Sequence, residues 1–509
     1  MAANTKVLVI GADSMEKDLI LKWIEEGRLP NFKALKERSV WGLSDNPPRR
    51  YSGAVWPCFY TGVNPDTHGQ YIHTAFNTET YEFKGVRPPI DQRPPFWADP
   101  SMADKKIAIF NLTYAPLSKD LNGLQVMEWG VHDMHNIDGR DYDFDTYPPE
   151  LKNTIIEKYG LDPVGPTDII GRSAEGFVDF RETLVARVEN KCALACDTLK
   201  EGEWDLFITT FDECHTVGHQ CWHLHDPNHP LHDEIERDIG DPILDVFVAI
   251  DDAIGRIIEC AGEDVFVLFL GSHGMGPLYD GTRILDDVLR QLEQKDQSTG
   301  VGLLNFLGRA WAALPSGLRN FLRPIRLKLG KKIFQSLTAG DRAARTCFTI
   351  PTQDLTAGIR VNLVGRESEG KINPGPEYEA FTNKLIDDLD DLVDGGTGDK
   401  AIEKISRTAE MDYGEQVGEL PDLIVQWRVP NLTSIQSAKV EKIEAVYGSR
   451  KGDHKPWGIF FAAGPGIDEG ELNEAVSVID YAPTIAHILG SELTNVEGEV
   501  ISRICPKAE

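Results

Sequence analysis

The chain has 509 residues, 41% of them hydrophobic and 9% aromatic, which is enough for a sizeable core and excludes wholesale disorder. Its 52 Lys and Arg against 81 Asp and Glu leave a net charge of −29, which excludes a sheath-like nucleic-acid binder needing a basic footprint. No apolar run approaches the roughly 18–20 residues that span a bilayer, so no transmembrane segment is expected.

From the amino end, Val7-Leu8-Val9-Ile10 meets Gly11 and Asp13 too soon for the apolar region of a signal peptide. Eight scattered cysteines, none in a CxxC pattern, form neither a disulfide framework nor a zinc knuckle, and a reduced, cytoplasmic protein is expected. Short apolar runs recur at 6–10, 205–210, 264–270, 358–363, 422–427 and 458–463. Helical periodicity falls at 18–26, 182–200, 241–261 and 378–393. Runs such as Val265-Phe266-Val267-Leu268-Phe269-Leu270 are apolar on both faces, as a strand covered by helices on each side requires. The alternation predicts an α/β fold, a three-layer α/β/α sandwich with a mainly parallel central sheet plus insertions. We read one catalytic domain over 1–509, with a basic amphipathic insertion at 297–340. That insertion holds no acidic residue, while Arg309, Arg319, Arg323, Arg326, Lys328, Lys331 and Lys332 interleave with apolar side chains. A lid, a surface helix making peripheral contact with anionic lipid over 302–336, and a helix packed on the protein's own acidic surface all fit that pattern.

In open α/β sheets the ligand crevice lies beyond the carboxyl ends of the strands. Asp13 follows the first strand, Asp212, Glu213, His215 and His219 follow a second, and Ser272 and His273 follow a third. Three strands delivering Asp and His to one edge point to a metal site. His215 and His219, four apart on a helix, project from one face and can grip one cation. The later His223, His225, His229 and His232 read as a histidine-rich surface loop. Ser52 precedes an apolar, helical run, which suits an N-cap as well as an activated nucleophile. Arg49 and Arg50 are equally readable as solvated loop charges and as anion-orienting groups.

Taken in order, Asp13, then Ser52 followed by Thr61-Gly62-x-x-Pro65-x-x-His68-Gly69, then His273-Gly274-Met275, resembles the alkaline phosphatase superfamily. Within it the resemblance is to the type I phosphodiesterase/nucleotide pyrophosphatase branch and its phosphohydrolase-or-phosphomutase relatives. Further matches are 358–362, 421–425, Gly452-Asp453-His454 ahead of Gly458, and Asp480-Tyr481-Ala482-Pro483-Thr484, so the likeness runs along nearly the whole chain.

The resemblance implies a metal-dependent phosphohydrolase that cleaves a phosphodiester or pyrophosphate, in preference to a monoester, through a phosphoserine on Ser52. It places Asp13, Ser52 and His273 around one divalent ion, and His215, His219 and His454 around another. His73 lies near the position of a residue that holds a phosphoryl oxygen. The chain departs from the family where His215 and Ser272 stand at usual Asp positions. Three histidines with an open position suit zinc, so one tight zinc site is expected beside a weaker one for Zn, Mn or Mg, unless Asp212 or Glu213 supplies the missing charge. The expected partner is a small anionic phosphate ester. A phosphomutase or phosphotransferase and a sulfate-ester hydrolase are alternatives within the superfamily, although 52–55 lacks the sulfatase signature. A non-catalytic relative that binds metal or an anionic ligand is the alternative of another class.

Overall fold

A computed structural model describes residues 5–45, 52–68, 74–85, 93–130, 144–162, 164, 172–232, 239–278, 281–293, 338–350, 356–410, 420–428, 434–445 and 450–506. Arg49, Arg50, His73 and the basic stretch up to residue 337 lie outside the described residues. The described chain gathers into two compact units.

The first unit spans Met1–Ile72, Arg87–Leu278 and Tyr447–Glu509. Its strands are β1 (Lys6–Ala12), β2 (Val40–Asp45), β3 (Ile107–Phe110), β4 (Gly123–Met127), β5 (Asp145–Tyr147), β6 (Leu206–Phe211), β7 (Val265–Gly271), β8 (Gly274–Pro277), β9 (Gly452–Lys455) and β10 (Trp457–Ala463). Its principal helices are α1 (Lys17–Glu25), α2 (Val55–Thr61), α3 (Ala174–Glu201), α4 (Glu213–His225), α5 (Pro242–Ala261) and α6 (Tyr481–Ile488). The central sheet runs β2-β10-β7-β1-β6-β3-β4-β5, with Gly470–Glu471 and Val476–Ser477 pairing along the outer strand β2. From β7 to β4 every pairing is parallel, while β10 is antiparallel to both its neighbours and β5 is antiparallel to β4.

Side-chain alternation divides the core into two layers. Leu8, Ile10 and Ala12 of β1 join Phe207, Phe269 and Phe461 under α1, α3 and α5. Val7 and Val9 join Ile208, Leu268 and Phe460 on the opposite face, under α2 and α6. Each buried Val, Leu or Ile contributes about 1.5–3 kcal/mol, which is why both faces of these strands are apolar. Helix ends are set by local chemistry. Asp241 caps α5 by accepting from the Ile243 and Leu244 N–H groups, with Pro242 in the first turn. Ser173 Oγ accepts from Gly176 N–H at the start of α3.

The second unit spans His73–Val86 and Tyr279–Val446. The runs expected as strands near 358–363 and 422–427 belong here, to an antiparallel sheet ordered Cys347–Ile350, Thr356–Val361, Leu423–Trp427, Ile402–Arg407. Arg360 is buried against Glu367 at 2.6 Å and Arg366 reaches Asp422 at 2.7 Å, so these matched motifs build a core of ion pairs. Among the described residues, no helix is long and apolar enough to cross a membrane.

Candidate metal centre and active site

The register of the parallel strands decides what meets at their carboxyl ends. Ala12 of β1 lies level with Phe211 of β6 and with Gly271 of β7. The ladder continues one step further, with Asp13 N–H on the Phe211 carbonyl at 2.8 Å and Ser272 N–H on the Ala12 carbonyl at 3.0 Å. Asp13, Asp212 and Ser272 are therefore neighbours because their strands are.

Helix α4 begins immediately after β6 and carries His215 and His219 on one face, both buried. The ribbon β8–β9, with Met275 opposite His454, brings the third imidazole. His215 Nε2 lies 2.8 Å from His219 Nε2 and 2.9 Å from His454 Nε2. The His273 ring follows, 4.5 Å from that of His454. His219 Nδ1–H donates to the Gly452 carbonyl at 2.6 Å, which fixes the tautomer and turns Nε2 toward the other two rings. Three imidazole nitrogens this close repel one another unless they share a positive charge. Tetrahedral zinc with bonds of about 2.0–2.1 Å would set them about 3.3 Å apart, so a small outward shift of the rings seats the ion. The donor set fits a divalent transition metal.

Two glycines permit this approach. A Cβ on Gly452 would stand 2.4 Å from the Gly218 carbonyl oxygen, and one on Gly218 would stand 2.8 Å from Met275 Cγ. Helix and ribbon cross with no room for a methyl group.

Asp13 is buried beside the three histidines. Its Oδ1 accepts from Trp56 Nε1–H at 3.0 Å and from Ser272 Oγ–H at 2.8 Å, and its Oδ2 lies 3.7 Å from His215 Nδ1. Trp56 is in the first turn of α2, so this bond pins that helix against the site. The sequence suggests Ser52 as the helix cap, but the backbone makes a 3-10 turn over Ser52–Ala54 and α2 starts at Val55. Pro57 gives the reason: lacking an N–H, it is tolerated only in the first turn, and a start at Val55 puts it there.

Asp212 and Glu213 face two cations of a neighbouring helix. Arg187 and Lys191 of α3 consume them: Arg187 reaches Asp212 at 3.1 Å and Glu213 at 2.7 Å, and Lys191 reaches them at 2.5 and 2.8 Å. This buried cluster locks the start of α4.

The later histidines also differ from expectation. His223 and His225 continue α4, and His223 and His229 are buried with their rings 5.9 Å apart. Burial pushes His223 down to about 3 and His229 down to about 4, so both are neutral in the folded chain. His225 pairs with Asp241 at 2.6 Å, and His232 Nδ1–H donates to the His223 carbonyl at 2.9 Å. The fourfold spacing His215, His219, His223 was a signal that all three share the covered face.

Three residues escape sequence reasoning. Arg450 Nη1 lies 3.4 Å from His219 Nε2 and brings a fixed positive charge to the cluster. Tyr114 has its hydroxyl held well above the usual range, by burial first and then by the Asp13 carboxylate, with Arg450 opposing. Ser14 donates to His273 Nε2 at 2.6 Å. Each depends on a contact between distant segments that no local pattern announces.

A three-layer sandwich with such a cluster at the carboxyl ends of its strands defines an alkaline-phosphatase-like hydrolase of phosphate ester bonds. The sequence model of the type I phosphodiesterase / nucleotide pyrophosphatase family matches residues 7–327, well over half of the chain, and the protein belongs to that family. No curated protein matches the sequence. Among solved structures, phosphonoacetate hydrolase from Sinorhizobium meliloti 1021, in complex with phosphonoformate, superimposes with a TM-score of 0.50 at 12% identity over 94% of each chain. Human ectonucleotide pyrophosphatase / phosphodiesterase 5 gives a TM-score of 0.48 at 12% identity over 97% of each chain. At 12% identity the likeness to the phosphonoacetate hydrolase is one of fold.

Proposed function

We propose that the protein hydrolyses a phosphodiester or pyrophosphate bond of a small anionic substrate, with Ser52 as nucleophile and a zinc ion held by His215, His219 and His454. The observation that carries this reading is the buried three-histidine cluster beside Asp13. A cation bound there supplies Lewis-acid charge to the phosphoryl oxygens. The chain's own groups do the rest. The Gly452 carbonyl holds His219 in orientation, and the Asp13 carboxylate lies 3.7 Å from His215 Nδ1. Trp56 ties the start of α2, four residues after Ser52, to the Asp13 carboxylate. Ser52 oxygen bonds to phosphorus as the leaving oxygen departs, and in net the serine proton appears on the released alcohol or phosphate. Water then cleaves the phosphoserine and restores the hydroxyl. Arg450, beside His219, is assigned to the substrate's charged oxygens, and for His73 that role rests on the family resemblance alone.

The domain over 1–509 then has a first unit that carries the chemistry and a second unit inserted in its sequence at two places, His73–Val86 and Tyr279–Val446. A cytoplasmic location is supported by the cysteines, all eight of which are free thiols.

The test is turnover of a chromogenic phosphodiester by the zinc-loaded protein. Ser52→Ala should lose activity on the order of 10⁴-fold, and an acid-quenched reaction should show a phosphoryl adduct on the peptide bearing Ser52. Full activity in the alanine variant would refute the assignment.

A further inference from the structure

Around Asp13 and His273, where the ordered motifs predict a second ion, the proton positions can be worked out group by group. Ser14 N–H donates to Ser272 Oγ at 3.1 Å. Ser272 Oγ–H donates to Asp13 Oδ1 at 2.8 Å, so the hydroxyl proton points there. The remaining lone pair of Ser272 Oγ must then accept from His273 Nδ1, 2.8 Å away, which places the ring proton on Nδ1. His273 Nε2 is left as an acceptor and takes the Ser14 hydroxyl at 2.6 Å. Every hydrogen in the chain Ser14–His273–Ser272–Asp13 has an acceptor.

This contrasts with the three-histidine cluster, where ring nitrogens face ring nitrogens. The Asp13 pocket is complementary within itself, and its one carboxylate is engaged on Oδ1 by Trp56 and Ser272 and faces His215 Nδ1 through Oδ2. A second dication ligated by His273 Nε2 would have to displace the Ser14 hydroxyl, and among the described residues it would meet the single Asp13 carboxylate, with Ser272 standing where a second carboxylate is expected. Ser14 itself is buried with φ of 57°, a left-handed conformation that a serine adopts only under constraint. Two hydrogen bonds, through its N–H and its hydroxyl, hold it there.

We infer that the protein works with a single cation, held by His215, His219 and His454, and that the hydrogen-bonded chain Ser14–His273–Ser272–Asp13 closes the second seat. The inference rests on the three-histidine cluster being a cation site. Asp13 then contributes its negative charge beside that one ion, 3.7 Å from His215 Nδ1.

The experiment is zinc stoichiometry of the full chain, stripped with chelator, reloaded with excess zinc, desalted and measured by elemental analysis and calorimetry. One equivalent per chain is expected, falling to none in His219→Ala and staying at one in His273→Asn. Ser272→Asp places a second carboxylate opposite His273 and should raise the count to two. Ser14→Gly, which suits the left-handed backbone, combined with Ser272→Asp serves if the single variant folds poorly by circular dichroism. Two equivalents in the unaltered protein, or loss of one in His273→Asn, overturns the inference while leaving the three-histidine site standing. No retained zinc at all overturns both.

Discussion

Replacing Gly452 by alanine should loosen the metal centre without touching a ligand. The added Cβ would stand 2.4 Å from the Gly218 carbonyl oxygen and 3.1 Å from the Gly276 carbonyl oxygen. A relaxed carbon–oxygen contact needs about 3.3 Å or more, so β9 must retreat from α4 by close to ~1 Å. Two bonds cross that gap: His219 Nδ1–H to the Gly452 carbonyl at 2.6 Å, and Lys451 N–H to the His219 carbonyl at 2.5 Å. Liganding side chains tolerate about 0.5 Å of misplacement, so the shift exceeds the margin. Overpacking should cost about 1–3 kcal/mol of stability, and loss of the orienting carbonyl should weaken zinc about 10–100-fold. Competition against a fluorescent chelator reads the affinity, and thermal melts with and without zinc read the stability. Gly276→Ala is the control on the same ribbon, because its Cβ meets only the flexible Lys455 chain at 3.1 Å. If Gly452→Ala binds zinc within twofold of the parent and melts at the same temperature, the close crossing does not position His219 and the reasoning fails.

Arg187→Leu leaves Asp212 and Glu213 buried with Lys191 as the remaining cation of that clamp, and should destabilise the metal-free protein by about 3–5 kcal/mol in urea titration; a change below about 1 kcal/mol would count against the clamp. His223 and His229 have folded values below the ordinary 6.5, at about 3 and about 4, so the unfolded chain takes protons first. Their contribution to stability is complete above pH 6.5 and is lost as the pH falls through about 4 for His229 and about 3 for His223. His223→Leu should flatten that acid slope of the unfolding free energy, and an unchanged slope would show that His223 does not titrate on unfolding.

How far the site could be read in advance depends on which contacts a local pattern encodes. Doubly apolar runs followed at once by Asp or His announced β1, β6 and β7 and the residues at their ends, because parallel strands in register align whatever comes next. The i, i+4 pair on α4 was equally plain. The second unit's antiparallel sheet was not, since the run at 358–363 carries the same Val and Ile content as a strand of the main sheet and differs only in its partners. The burial of Asp212 and Glu213 was hidden for the same reason. Their cations sit on α3, 21 to 26 positions upstream, and only the packing of that helix beside α4 reveals the pairing. Arg450 and Trp56 became part of the site through a ribbon crossing and a helix start fixed by Pro57, which are tertiary events.

The charge clamp beneath α4 bears on how the proposed site would take up an ion. Since α3 already nails down the start of the helix that carries His215 and His219, two of the three imidazoles of the proposed cation site would be in place before any metal arrives. Loading would then be closer to a docking event than to a folding one. The emptied protein should survive purification, and ions of similar size should swap in and out of a scaffold that does not unravel between occupants.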